Sequence, residues 1–324
     1  MKVAVTDYTF PDLSIEEAIL KADGHEIVAW KEKRPASELA NLVADADAVI
    51  AQFAPVDASV VAAMSKARVI VRYGIGVDNV DLDAALAKGI PVCNVPDYCV
   101  GEVADHTLAF ILATTRQVVP HCVKIRAGSW GLATPLDGLR TLRDLTVGVV
   151  GFGRIGREVV ARLQAFKGRI LMHDPFVSPA EIRIAGAEAA DLPSLLSGSD
   201  IVTLHCPSTA KTRGLINAEA LAHMKHSAVL INLARGDLVV SEALMEALRD
   251  GKIAGAALDV FAPEPIPAGH PILSMDNVVL APHIASASVS AVRNLRETVA
   301  RITLFALRGE PLPNVVNGVG SVNV

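Results

Sequence analysis

Thr146-Val147-Gly148-Val149-Val150-Gly151-Phe152-Gly153-Arg154-Ile155-Gly156 is an apolar run that stops on glycines spaced Gly-x-Gly-x-x-Gly. The run is too short for a buried helix. A segment of helical period, Arg157 to Leu163, comes next; a second apolar run, Arg169 to Met172, follows it, and His173-Asp174 closes the stretch. Strand, glycine turn, helix, strand and acid in that order make a dinucleotide-binding unit. Gly151 permits the tight turn, Gly153 lets the backbone approach a pyrophosphate, and Gly156 lets the helix lie close on the strand. Arg154 and Ile155 open that helix, whose unpaired N–H groups and dipole favour the phosphates. Asp174, 18 positions after Gly156, is placed to accept from both hydroxyls of an adenosine ribose and to repel a 2′-phosphate. Pro175 and Phe176 follow it where an NADP site usually offers an arginine, so the expected cofactor is NAD.

The rest of the 324-residue chain agrees with an α/β protein of two domains. Hydrophobic residues make up 51% and aromatics only 4%, the balance of a compact core with buried parallel strands. The net charge is −5 with Lys and Arg scattered, so no basic stripe exists to follow a phosphate backbone and no nucleic acid partner is expected. No run reaches the length of a membrane span, and Met1-Lys2-Val3-Ala4-Val5 lacks the layout of a signal peptide, so the expected location is cytoplasmic with no membrane partner. Cys93, Cys99, Cys122 and Cys206 show neither Cys-x-x-Cys nor metal-like spacing; no metal and no disulfide is expected.

Before the glycine motif, short apolar runs alternate with amphipathic segments. Lys2–Thr6, Glu26–Ala29, Ala46–Ala51, Arg68–Arg72 and Ile90–Cys93 read as strands; Ser14–Ala22, Ser37–Ala44, Ala58–Met64 and Leu82–Ala87 read as helices. A complete α/β domain therefore precedes the cofactor motif. The second block continues past Val278 through apolar runs at Ile201–Leu204, Ala228–Leu233, Ala254–Leu258 and Val278–Leu280. A long helix from Val100 to about Pro120 and another from Ser288 to Leu307 bracket it. The predicted architecture is two doubly wound parallel-sheet domains, a Rossmann NAD domain (100–288) inserted into a flavodoxin-like substrate domain (1–99 plus 289–324).

Chemistry collects at three strand ends of the second block. Ile231-Asn232-Leu233-Ala234-Arg235-Gly236 delivers an arginine, Ala257-Leu258-Asp259 through Glu264-Pro265 delivers acids, and Leu280-Ala281-Pro282-His283 delivers a histidine. In open α/β sheets ligands bind at that edge, where a guanidinium can grip a carboxylate in bidentate fashion. Hydride transfer to a carbonyl needs one proton for the new alkoxide, and imidazole suits that near neutrality. A carboxylate on the other ring nitrogen orients the ring and favours imidazolium. The expected catalytic set is Arg235, Glu264 and His283, with Asp259 either accepting from the nicotinamide amide or supporting the dyad.

These residues, in this order, resemble the D-isomer-specific 2-hydroxyacid dehydrogenases, a group that includes lactate, glycerate and phosphoglycerate dehydrogenases, formate dehydrogenase and the C-terminal-binding-protein corepressors. The resemblance runs over essentially the whole chain. It implies that His283 is the general acid/base, Glu264 its partner and Arg235 the anchor for substrate carboxylate and carbonyl. It implies too that backbone amides around Tyr73-Gly74-Ile75-Gly76 bind the carboxylate across an interdomain cleft, that Cys206, Pro207, Leu233, Ala234 and Asp259 line the nicotinamide side, and that the protein is a homodimer. The stretch Val71 to Arg116 looks like the corepressor branch and its bacterial phosphoglycerate-dehydrogenase-like relatives, although Ser286 stands where those corepressors carry tryptophan. The expected reaction interconverts a small 2-keto acid and its D-2-hydroxy acid; the alternatives are an NAD(H)-sensing protein-binding scaffold and 3-phosphoglycerate as the substrate. Ile50-Ala51-Gln52-Phe53-Ala54-Pro55-Val56, after the third strand, carries no Lys or Arg to hold a phosphate.

Overall fold

The computed structural model describes residues 1–320, in two compact units: 1–99 together with 288 onward, and 100–287. The predicted C-terminal reach to Val324 includes residues 321–324, which lie outside the described residues.

In the first unit β1 (Lys2–Val5), α1 (Ser14–Leu20), β2 (Glu26–Ala29), α2 (Ala36–Val43), β3 (Ala48–Ala51), α3 (Ala58–Ala63), β4 (Ile70–Arg72), α4 (Leu82–Ala87) and β5 (Val92–Cys93) alternate along the chain. The sheet is parallel throughout, in the order β2-β1-β3-β4-β5, the flavodoxin-like winding. Alternate side chains of one strand feed opposite faces. Val3 and Val5 pack with Leu20 and with Leu295 and Val299 from the C-terminal helix, whereas Ala4 packs with Leu39 and Val60 on the other side.

The second unit begins with α5 (Val100–Thr115) and α6 (Val118–Arg126) and continues as β6 (Thr146–Val150), α7 (Arg154–Leu163), β7 (Arg169–His173), α8 (Pro179–Ile184), β8 (Glu188–Ala189), α9 (Leu192–Gly198), β9 (Ile201–Leu204), α10 (Ala218–His223), β10 (Val229–Asn232), α11 (Ser241–Arg249), β11 (Gly255–Leu258) and β12 (Val278–Leu280). Its parallel sheet runs β12-β11-β10-β9-β6-β7-β8. Here β6 lies between β7 and β9, so the strand order reverses at the glycine motif. That is the switch point where open α/β sheets hold ligands. The chain then returns to the first unit through α12 (Val289–Arg308), whose N-cap Ser288 accepts the Ala291 N–H at 2.9 Å.

One predicted element divides. The long helix expected from Val100 to about Pro120 stops at Thr115 and restarts at Val118, because Gln117 adopts a left-handed φ of 52° and its side-chain amide caps the Thr114 carbonyl at 2.6 Å. The restart puts Pro120 in the first turn of α6, where its missing N–H costs no helical hydrogen bond.

Candidate active site and cofactor cradle

The turn after β6 is pressed from two sides. Gly151 has φ 100°, and a β-carbon on it would lie 2.7 Å from the backbone nitrogen of Cys206, in the loop that leaves β9. A β-carbon on Gly156 would lie 2.0 Å from the Gly151 carbonyl oxygen, so α7 sits on the turn with no room for any side chain. Gly153 differs: nothing lies within 4 Å of where its β-carbon would be, which leaves an open backbone surface at the first turn of α7. Arg154 and Ile155 occupy that first turn. In the loop after β9, burial pushes the His205 imidazole down to about 3, so the ring is neutral and shares a 2.9 Å hydrogen bond with Thr203 Oγ1.

Asp174 follows β7. Its Oδ2 accepts from the Phe152 N–H at 2.8 Å and its Oδ1 from the Phe176 N–H at 2.9 Å. Each carboxylate oxygen has two acceptor sites, so each retains one for a ribose hydroxyl. Arg157, lying over the Phe152 ring at 4.2 Å, pairs with Glu181 at 2.9 Å and closes the side of the turn. A narrow glycine turn, an uncovered helix N-terminus and a carboxylate with vacant acceptor sites fit NAD.

The remaining chemistry stands on β10, β11 and β12, three neighbours at one edge of the sheet. His283 Nδ1 and Glu264 Oε2 are 2.8 Å apart, each side chain about one third exposed. Glu264, between two cis prolyl peptides, also accepts the Phe261 N–H at 2.8 Å on Oε1. Burial opposes the charge on this carboxylate, but the hydrogen bond and charge of His283, the Phe261 amide and the Arg235 charge outweigh it and hold Glu264 below its usual range.

Two buried polar residues hold this edge in place. Asn232, 1% exposed, takes the Ala234 N–H on Oδ1 and donates to the Arg235 carbonyl at 2.8 Å, which fixes the exit from β10. Leu233 is buried beside it, and Ala234 packs on the core. Gly236 then passes so near the next loop that a β-carbon would lie 2.0 Å from the Phe261 carbonyl carbon, which brings the arginine turn against the start of the Glu264 loop. Asp259, fully inaccessible, accepts the Ile284 and Ala285 N–H groups at 2.8 Å each, and its carbonyl accepts the His283 N–H at 2.7 Å. These bonds hold His283 at its left-handed φ of 55°. The Asp259 carboxylate thus braces the histidine loop, and each of its oxygens keeps a second acceptor site.

In the first unit the turn after β4 is likewise part committed. The Tyr73 N–H donates to the Ala51 carbonyl at 2.8 Å and the Gly74 N–H to the Arg72 carbonyl at 2.9 Å, so within the Tyr73–Gly76 stretch these two amides are engaged by the protein itself. The Gly74 and Ile75 carbonyls are held by the Val95 N–H and the Asn94 side chain, at 3.0 and 2.6 Å. Among the described residues the N–H groups of Ile75 and Gly76 have no acceptor. Two adjacent N–H groups without acceptors are candidate donors to an anion.

Asn232, Asn94 and the turn-holding part of Asp259 were not singled out from the sequence. The available signal was a polar residue inside an otherwise apolar strand, which a buried backbone turn explains as well as a ligand does.

Residues 108–285 match the family model described as D-isomer specific 2-hydroxyacid dehydrogenase, NAD binding domain. The chain is 42% identical over 312 residues to a glyoxylate reductase of Thermofilum pendens, covering 95% of this chain and 91% of that one. It is 38% identical over 310 residues to a D-3-phosphoglycerate dehydrogenase of Mycobacterium leprae, covering 95% of this chain but only 58% of that longer protein. Among solved structures it superposes on the D-lactate dehydrogenase of Aquifex aeolicus in complex with NAD and lactic acid, with a TM-score of 0.85, 28% identity and 96% of each chain covered. With the glycine cradle, Asp174 and the strand-end residues in the places described, the chain belongs to the D-isomer-specific 2-hydroxyacid dehydrogenases, the NAD-dependent oxidoreductases that act on 2-hydroxy and 2-keto acids.

Proposed function

We propose that this protein interconverts small, unphosphorylated 2-keto acids and their D-2-hydroxy acids. The observation that carries the reading is the 2.8 Å His283–Glu264 pair on the strand end beside Arg235. The cofactor, when bound, supplies or accepts the hydride at the substrate C2. His283 gives a proton from Nε2 to the new C2 alkoxide in reduction and takes it back in oxidation, while Glu264 on Nδ1 steadies the imidazolium. Arg235 holds the carbonyl and carboxylate oxygens, and the Ile75 and Gly76 N–H groups bind the carboxylate. The cradle residues Gly151, Gly153, Arg154, Ile155 and Gly156 receive the pyrophosphate, and the loop from Cys206-Pro207 with Leu233 and Ala234 lines the nicotinamide side.

Exclusion of a phosphate rests on the turn after β3. The Gln52 and Phe53 N–H groups, which could have held an anion, donate instead to Asp7, at 3.0 and 2.7 Å. The Gln52 side chain is bound at both ends to Thr9. The buried Asp7 carboxylate, from the loop after β1, lies against that turn and repels a phosphate, and Arg72, with its guanidinium 5.9 Å from the Phe53 ring centre, is the nearby cation that a phosphorylated substrate would have to recruit. Glyoxylate, pyruvate and hydroxypyruvate are the substrates this turn favours.

Asp174 predicts a preference for NADH. Fluorescence titration of wild-type protein should show tighter binding of NADH than of NADPH, and Asp174→Ala should narrow the gap by weakening NADH about tenfold, the worth of one or two ribose hydrogen bonds. Equal affinities in the wild type would contradict this role.

A cytoplasmic homodimer completes the reading. Val118, Val123, Trp130, Leu132 and Leu136 lie at least half exposed within one short stretch, and Trp130 is 91% exposed; such a strip is best covered by a second copy. Light scattering should return twice the 34.0 kDa chain mass, and a monomer at micromolar concentration would refute the pairing. No helix among the described residues is long and apolar enough to cross a membrane.

A further inference from the structure

Behind the turn after β4 lies a buried ionic network with no part in the chemistry described above. Glu16, on α1, is wholly inaccessible, and Arg296, from α12, is 6% exposed. Arg296 Nη2 donates to Glu16 Oε2 at 2.7 Å and Nε to Oε1 at 2.9 Å; Nη2 also reaches the Asp12 carbonyl at 2.7 Å. The Tyr73 hydroxyl donates to Glu16 Oε1 at 2.9 Å. Burial first, and then the Glu16 charge, hold that hydroxyl well above its usual range, so it stays protonated and remains a donor. The Tyr73 ring meets Phe10 edge to face at 5.2 Å, and the Arg296 guanidinium lies over the same Phe10 at 5.0 Å.

A buried ion pair is close to neutral in stability against a well-packed apolar substitute, so stability alone does not account for the network. It does fix Tyr73 at its hydroxyl and, through Phe10, at its ring, while the Ala51 carbonyl separately holds its N–H. Tyr73 is the residue from which the turn departs. Gly74, next in the chain, has φ 141°, and the Arg72 guanidinium fills the space beside it so closely that a β-carbon would lie 1.5 Å from Nη1. With Tyr73 clamped and Gly74 confined, Ile75 and Gly76 have little freedom to turn their N–H groups away.

We propose that Glu16 and Arg296 are positioning residues for the substrate carboxylate, acting through the Tyr73 hydroxyl to keep the Ile75 and Gly76 N–H groups convergent. The inference rests on the reading that those two groups bind the carboxylate. Holding donors in place before binding removes an ordering cost from affinity, so loss of the clamp weakens binding without altering the proton transfer.

The test uses the full-length protein loaded with NADH and the unreactive keto-acid analogue oxamate. Tyr73→Phe removes only the hydroxyl. It should weaken oxamate binding and raise KM for glyoxylate by about tenfold, the lower end of what a hydrogen bond to a charged group is worth, with kcat and NADH affinity held within about twofold. Glu16→Gln should act in the same direction; if that variant does not fold, Tyr73→Phe still decides. A lower unfolding temperature with oxamate affinity and KM unchanged in Tyr73→Phe would make the network merely structural and overturn the proposal. Gly74→Ala separates the two readings. Loss of oxamate binding there, with NADH binding intact, supports the carboxylate turn even where Tyr73→Phe refutes the clamp. Wild-type oxamate binding by Gly74→Ala would overturn the carboxylate turn and the clamp with it.

Discussion

His283→Ala lowers kcat by about 10²- to 10⁴-fold, the usual worth of a positioned general acid, while NADH affinity and the unfolding temperature stay near wild type. The side chain is about one third exposed and its loop is held by Asp259 through backbone amides that alanine retains, so the substitution removes the proton donor and little else. Near wild-type turnover in stopped-flow NADH oxidation would assign the acid elsewhere. The same dyad sets the pH profile. Glu264, held below the usual carboxylate range, stays ionised through neutral pH beside the ring. Reduction requires that ring protonated and oxidation requires it neutral, so reduction fails as pH rises and oxidation as pH falls. Glu264→Gln removes the charge that favours imidazolium and moves the reductive limb to lower pH; a limb that does not move would dissolve the pairing.

Arg235→Ala comes next in size. A guanidinium that grips carboxylate and carbonyl oxygens contributes hydrogen bonds of about 1.5–3 kcal/mol each, so losing two should cost about 10²- to 10⁴-fold in kcat/KM for a 2-keto acid. Much of the loss should fall on KM, since the carboxylate is bound equally in ground and transition states. Arg235→Lys should recover only part of it, because an ammonium cannot reproduce the planar two-point contact. NADH affinity should hardly change, and its collapse would mean that Arg235 serves the cofactor cradle.

The fold was legible where apolar runs were clean. Ile201–Leu204, Val278–Leu280 and Glu26–Ala29 stand in the sheets with the bounds read from sequence, and the predicted flavodoxin-like and Rossmann windings appear as the observed strand orders. The two-residue, exposed β8 gave no periodic signal, and the break at Gln117 depends on a left-handed residue that a helical pattern does not reveal. At the site, His283 and Glu264 were legible because each sits just past an apolar strand, and the structure brings their side chains to 2.8 Å. Asp259 was legible as important, but its bracing of the histidine turn through the amides of Ile284 and Ala285 shows only in the folded loop. Glu16 and Arg296 were illegible: 280 positions separate them, and each reads locally as an ordinary charge on an amphipathic helix.

Steady-state NADH oxidation with glyoxylate, pyruvate, hydroxypyruvate and 3-phosphohydroxypyruvate tests the central claim most directly. The account predicts turnover with at least one of the unphosphorylated acids, at a kcat/KM above that for 3-phosphohydroxypyruvate. A clear preference for the phosphorylated substrate would contradict the reading of the Asp7–Gln52 turn, and no turnover with any of the four would contradict the enzyme itself and favour an NAD(H)-sensing scaffold.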